Sequence, residues 1–479
     1  MGFAISNTSA AAVITSISTP SSITGELTIT SGSLPLIQGD LISGSNTTIT
    51  DTGGSPFGSI EMFLQQGDAQ IDTYVNNTLY SSDRYGSGFI SLQTPILQSS
   101  DSLTMAVSDA DTSCYDVGTG FNADPEIIRQ QADGKIIVGG YYTTYNGVSA
   151  NRIVRLNTDM SIDDTFVYGT GFNAEVNSVA IQSDGKILVG GNFTSYNGTA
   201  RNRIIRLETD GSVDTTFSIG TGFDASVWVI TIQPDGKMLV GGDFTTYSGS
   251  SRSKIVRLNT DGSIDTTLAS PGTINNTIFD IGVQTDNKII ITGFFTQISG
   301  VTNNRIARLS STGVIDNTFV TGGLNAGGYA LVCQADGKIV LGGDFTQVSG
   351  VSTNRIVRLL STGARDTSFS IGTGFAISGS FGGVLDITPV NDKYTISGIF
   401  QSYNGTTAKA LIRLNTDGTV DTTLNQGAGF TYNVDGFSLP SLVLSSGNIV
   451  VGGDFSAYQG VTTTRAAALT PFGQLLNCE

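Results

Sequence analysis

The sequence predicts an all-β protein, a seven-bladed β-propeller of four-stranded blades preceded by a small β-sandwich-like domain. Three observations carry this. One segment recurs seven times along the chain; each copy holds four short β runs separated by turn signals; and the composition is that of a turn-rich β protein. Charged residues make up 13% of the 479 residues, against about 25% in an average domain, while glycine reaches 61.

Residues 1–112 lack the repeat. They show short alternating runs, ELTIT from Glu26, TTIT from Thr47, SIEMFL from Ser59, GFISLQ from Gly88 and SLTMAV from Ser102, separated by Gly, Ser, Asn and Asp. Alternation with period two and turn-forming punctuation reads as a compact sandwich-like domain. Arg84 is the first basic residue of the chain. A nearly uncharged surface costs little to desolvate, so this stretch is expected to anchor the protein to a larger assembly. No basic, apolar leader opens the sequence and no run of about 18 apolar residues occurs, so neither a secretory signal nor a membrane-spanning helix is expected.

From residue 113 onward the repeat takes over. DGKILVGGNFTSYNG from Asp184 has counterparts beginning at Asp133, Asp235, Asp286 and Asp336, and two degenerate copies from Asn391 and Ser446. The matching glycines Gly140, Gly191, Gly242, Gly293, Gly343, Gly398 and Gly453 are spaced by 51, 51, 51, 50, 55 and 55 residues. Within the second copy, VNSVAIQ from Val176 alternates, SDGK forms a tight turn, and KILVGGNF reads as a more buried strand. A longer loop then leads to RIIRLE from Arg203, a second Asp-Gly turn, and an outer strand VDTTF from Val213. Asp-Gly between β runs signals a hairpin, with a type I′ turn expected.

The combination DGKI, VGGDF and RIVRLNTDGSIDTTF resembles the delta-60 repeat, a β-propeller domain of unknown function found in bacterial surface proteins and some phage structural proteins. The resemblance covers residues 113–479 and implies a scaffold; it brings no catalytic residues. Aligned on the repeat, SCYDVGTGF from Ser113 and GQLLNC from Gly473 complete one blade together, so the two ends of the propeller should meet. That alignment places Cys114 and Cys478 close together, either bonded or as two free thiols.

Charge and residue content exclude several function classes. A net charge of −16 repels phosphate backbones and anionic lipids, so neither nucleic acid nor membrane is an expected partner. With no histidine, imidazole acid–base chemistry and His-ligated metals are unavailable. Three distant cysteines make neither a zinc knuckle nor a disulfide framework. The turn NTDGSID from Asn259 resembles a calcium loop but is too short, so no metal or cofactor is expected.

Repeated residues are read as scaffold. Arg155, Arg206, Arg257, Arg308, Arg358 and Arg413 occupy one position in six units and are expected to pair with the aspartate of the following outer strand, such as Asp214. Tyr145, Tyr196, Tyr247, Tyr403 and Tyr458 are expected to pack between blades. Trp228, Phe279 and Tyr329 share one position at the start of the innermost strand; simple alternation puts Trp228 with Ile230 and Ile232 in the inter-blade core, a sugar-stacking platform being the alternative. The non-repeated acids nearest the ring opening are Glu126, Asp386 and Asp435, too few and too unremarkable to assign an enzyme.

The expected function is non-catalytic: a phage virion component docking through residues 1–112, with a bacterial cell-surface adhesin as the alternative and a carbohydrate-active enzyme as a third reading. Tight turns of constant sequence project from one side of the ring, and longer, variable connections from the other. Recognition of a host glycan, a surface protein or a neighbouring virion protein is therefore placed on the variable side. The contacts are expected from the enlarged connections before the sixth and seventh blades, at Phe375, Phe381, Tyr432, Asn433, Asp435 and Phe437.

Overall fold

The computed structural model describes residues 2–4, 45–50, 59–64, 69–75, 78–85, 88–93, 102–109, 115, 117–379, 382–424, 427–432 and 439–476. It is all-β and divides into two compact units, Met1–Cys114 and Tyr115–Glu479. In the first unit, Gly2–Ala4, Ser59–Leu64 and Gly88–Gln93 form one antiparallel sheet. Ser45–Thr50, Ser102–Asp109, Ala69–Val75 and Thr78–Tyr85 form a second. The run from Glu26 lies outside the described residues, whereas the hairpin Ala69–Tyr85 is an element that weak alternation concealed.

The second unit is a seven-bladed propeller. In blade 2, Val176–Ile181 is the innermost strand, pairing with Ile187–Gly191, which pairs in turn with Ile204–Leu207. The fourth strand is reduced to a single bridge, Leu207 to Val213, because the chain turns again at once: Asp214 Oδ1 accepts the amide of Thr216. Between the second and third strands the loop folds into a small hairpin, Ser195–Tyr196 with Thr199–Ala200. The Asp-Gly turns differ from the expected type I′. Only the glycine has positive φ (Gly185, 84°), Gly185 N donates to Gln182 O, and Gln182 N donates to Lys186 O. This is a type I turn closed by a glycine bulge, in which aspartate accepts from the amide two residues on and glycine alone takes the left-handed position.

Blades meet through buried aliphatic and aromatic side chains, as where Ile137 and Ile153 of blade 1 pack with Phe172, Val176 and Val179 of blade 2. The first glycine of each Val-Gly-Gly sequence permits this closeness: a Cβ on Gly190 would lie 2.5 Å from Val227 Cγ1 of the next blade. Blade 4 breaks the rule and compensates. Thr292 replaces that glycine, and the facing residue of blade 5 becomes Gly328, whose missing side chain leaves room for the Thr292 hydroxyl. The same close approach closes the ring, since a Cβ on Gly452 of blade 7 would stand 2.6 Å from Pro125 of blade 1. Tyr115 N donates to Leu476 O at 3.0 Å, so the two ends of the propeller do share a blade. Cys114 and Cys478 lie outside the described residues.

The recurring tyrosines are buried and do more than fill space. Tyr196, Tyr247 and Tyr403 donate their hydroxyls to the carbonyls of Gly211, Gly262 and Gly418 at 2.6–2.8 Å, pinning the loop to the distant Asp-Gly turn. Each such bond contributes about 1 kcal/mol. Ile298 and Val348 keep the packing in blades 4 and 5 and forgo the bond. The arginines also sit as expected: Arg206 Nε donates to Asp214 Oδ2 at 2.6 Å, with equivalent pairs in five of the other six blades; Ala468 stands at the position in the seventh.

Candidate functional site

The innermost strands carry an irregularity that builds the site. In six blades the register shifts by one residue at the start of this strand, between Pro125 and Ile127, Val176 and Ser178, Val227 and Val229, Ile278 and Asp280, Gly328 and Ala330, and Val384 and Asp386. A β-bulge leaves one residue unpaired and reverses the parity of facing beyond it. The bulged residues are Glu126, Asn177, Trp228, Phe279, Tyr329 and Leu385, and all six line a cavity of about 670 Å³ at the ring's centre. This corrects the reading of Trp228, Phe279 and Tyr329 as inter-blade core. Simple alternation fails across the bulge, so Ile230 is buried while Trp228 is only partly covered.

The aromatic side chains form one cluster. Trp228 and Phe279 have ring centroids 5.4 Å apart at 68°, Phe279 and Phe294 lie 4.8 Å apart at 87°, and Phe279 and Tyr329 lie 5.6 Å apart at 67°. These edge-to-face angles present ring faces and ring edges side by side rather than one flat platform. Trp228 is oriented by donating Nε1–H to Asp243 Oδ2 at 2.8 Å. Phe294 remains 38% exposed, unusual for a phenyl ring within a folded β scaffold.

Deeper in, the side chain after the bulge serves the neighbouring blade in three of the six, at Ser178, Asp280 and Asp386. An innermost strand is a sheet edge with unpaired amides. Ser178 Oγ accepts from Ile230 N, Asp280 Oδ2 from Leu331 N at 2.7 Å, and Asp386 Oδ2 from Ser441 N at 3.0 Å. Burial pushes the Asp280 carboxyl up to about 6, with the Asp386 charge adding to the rise, against the opposing amides of Leu331 and Ile281 and the Arg129 charge. Asp124, also on the cavity wall, is raised by burial despite its 2.9 Å ion pair with Arg465. Among the described residues the wall thus carries four carboxylic acids, Asp124, Glu126, Asp280 and Asp386, and one guanidinium, Arg129.

The residues expected from the enlarged connections fare differently. Phe375 is 1% exposed and packs against Phe400 and Tyr403, with centroids 4.5 and 4.7 Å away; it cannot reach a partner. It is the repeat's own wedge residue, equivalent to Phe172 and Phe223 beside Tyr196 and Tyr247, not part of the insertion. Tyr432 is half-buried, its hydroxyl donating to Phe400 O and accepting from Gln401 Nε2, both at 2.8 Å, and burial pushes its hydroxyl up to about 12. Phe381, Asn433, Asp435 and Phe437 lie outside the described residues. Glu126 and Asp386, noted from sequence as acids near the opening, do line the cavity. Sequence reasoning missed Asp280 and Phe294. Phe294 had a signal, an aromatic where sister repeats carry Asn192, Asp243 and Asp344.

In the Asp-Gly turn from Asn259, Asp261 Oδ1 accepts from the amide and hydroxyl of Ser263 at 2.9 and 2.6 Å, closing the turn on itself. Among the described residues no group of three or more His, Cys, Asp or Glu is placed to hold a metal ion, and no helix is long and apolar enough to cross a membrane.

A family model described as a β-propeller domain of unknown function, DUF5122, matches seven segments: residues 131–166, 182–217, 233–268, 284–319, 334–369, 391–424 and 444–475. No curated protein matches the chain. Among solved structures it is similar to the extracellular domain of the one-component system BT4673 from B. thetaiotaomicron, at 11% identity and a TM-score of 0.39, over 92% of this chain and 57% of that one. It is also similar to PorZ, a surface component of the type-IX secretion system of Porphyromonas gingivalis, at 13% identity and a TM-score of 0.37, over 88% of this chain and 57% of that one. The chain therefore spans just over half the length of these two structures.

Proposed function

Because the chain belongs to the family of DUF5122 β-propeller repeats, we propose that it is a non-catalytic binding protein of a cell surface, with the mouth of the propeller channel as its ligand site. The observation that supports this is the division of labour among polar and aromatic groups. Repeated charges are consumed in holding blades together, whereas the bulge position changes residue from blade to blade, and its aromatics Trp228, Phe279 and Tyr329 gather with Phe294 at one cavity. A rigid ring with non-repeated side chains at its centre is a binding device, because the blades fix the geometry while single residues set the specificity. Asp280 and Asp386 both accept backbone amides of the next blade, a positioning duty that argues for binding over turnover. The phage-particle and cell-surface readings both drew on where similar repeats occur; the cell-surface alternative is the one retained, and the ligand site is argued from its side chains alone.

A thermal-shift screen of mono- and oligosaccharides, amino acids and amines tests the site. At least one compound is expected to raise the melting midpoint of the native protein, and the double variant W228A/F279A to lose that response while melting normally without ligand. Hits that stabilise the variant equally would place binding elsewhere, and release of a cleaved product, followed by NMR, would overturn the non-catalytic reading.

A further inference from the structure

The cavity combines two features that are each common and seldom occur together in one wall: inclined aromatic rings and an excess of carboxylates. Four rings meet at steep angles, with Phe294 and Tyr329 at 5.9 Å and 79° adding to the contacts centred on Phe279. Tyr141, 38% exposed, extends the aromatic lining towards blade 1. Ring faces carry negative quadrupole potential and attract cations. On the same wall Asp124 is paired with Arg465, and among the described lining residues Glu126, Asp280 and Asp386 outnumber Arg129. The whole chain adds a field of the same sign, its net charge being −16. A neutral sugar has no net charge to be drawn by that potential, and rings inclined at 67–87° offer it no continuous flat face.

Resting on the reading of the channel mouth as a ligand site, we propose that its ligand is a small organic ammonium ion, held with its cationic head against Trp228, Phe279 and Tyr329 and its charge balanced by the carboxylates below. The volume of about 670 Å³ exceeds that of an ammonium head alone, leaving room for the rest of a metabolite-sized molecule. Bulges make the arrangement: without the extra residue in the innermost strand, the three rings would turn into the inter-blade core.

Trp228 is the only tryptophan in the chain, so its emission reports this cavity in the full-length protein. Choline and tetramethylammonium, which carry quaternary heads, ethanolamine with a primary one, the uncharged choline analogue 3,3-dimethyl-1-butanol, and glucose are titrated against Trp228 emission. Saturable change is expected with the ammonium compounds, with the neutral analogue at least about tenfold weaker; the order of choline and ethanolamine identifies which head is preferred. F279L, which keeps apolar volume and removes the ring, is expected to weaken the cation about tenfold and leave the neutral analogue unaffected. Equal affinity for choline and its neutral analogue, or an unaffected F279L, would overturn the cation assignment. Saturable binding of glucose alone would overturn it too while upholding the cavity as a ligand site. A Trp228 signal indifferent to every probe, with saturable binding of one of them seen by calorimetry, would overturn the site itself.

Discussion

Ending the chain at residue 464 is expected to abolish the propeller's cooperative unfolding transition or to lower its midpoint by more than about 10 °C. The deleted segment is short, but it closes the ring. Ala466–Leu469 is the third strand of blade 7, paired with Ile449–Gly452 and fully buried, and Leu469 bridges Leu475. Leu476 O receives the Tyr115 amide at 3.0 Å, and Arg465 links Asp124 of blade 1 to Asp454 of blade 7 at 2.9 and 2.8 Å. Without these contacts blades 1 and 7 each expose a face that is apolar in every other blade. The loss is comparable to the whole stability of a typical domain, about 5–15 kcal/mol. Thermal unfolding followed by circular dichroism, with the full chain beside the shortened one, measures it. An unchanged midpoint would contradict closure at this point.

Asp214→Ala is the single substitution expected to cost most, about 3–5 kcal/mol, because it strands a buried guanidinium. Asp214 accepts from Arg206 Nε at 2.6 Å, Lys186 Nζ at 2.9 Å, and the amide and hydroxyl of Thr216 at 2.8 and 2.6 Å. Arg206 stacks over Phe217 with 4.6 Å to the centroid and donates to the Thr260 carbonyl of blade 3, so one ion pair ties two blades. Burial works against the Asp214 charge, but the hydrogen bonds from Thr216, Lys186 and Arg206 prevail and hold its carboxyl well below the usual range. Its counterparts Asp316, Asp366 and Asp421 are held at about 2, again against burial. A carboxylate whose folded value is depressed contributes stability that is complete above its unfolded value, near 3.8, and lost as pH falls through the folded one. Melting midpoints are therefore expected to fall steeply from about pH 4 to pH 2, where the unfolded chain takes up protons that the six folded sites still resist, and the D214A protein to fall less steeply. Asp280 runs the other way: raised to about 6, it gains stability as pH drops from 6 towards 4, which separates its effect from that of the six pairs.

The blades were legible in the sequence because a repeat states its own alignment: the position of Gly140 recurs through Gly453, and the Arg206–Asp214 pair follows from adjacency on neighbouring strands. The cavity was not. Alternation assigns Trp228 to one face only in a regular strand, and nothing in VWVITI announces that Trp228 is skipped by its partner strand. Asp280 looks like a surface acid until the neighbouring blade brings the Leu331 amide to it. Phe375 misled in the opposite sense: it sits beside an insertion, yet the repeat itself places it in the wedge beside Tyr403.

The most direct test of the account is how accessible Trp228 is to charged quenchers. Its emission in the folded protein is titrated with caesium and with iodide at matched ionic strength. An open mouth lined by carboxylates predicts efficient quenching by caesium and weak quenching by iodide, with the gap closing when urea unfolds the chain. Equal protection from both ions in the folded protein would return Trp228 to the core between blades and remove the basis for a binding site there.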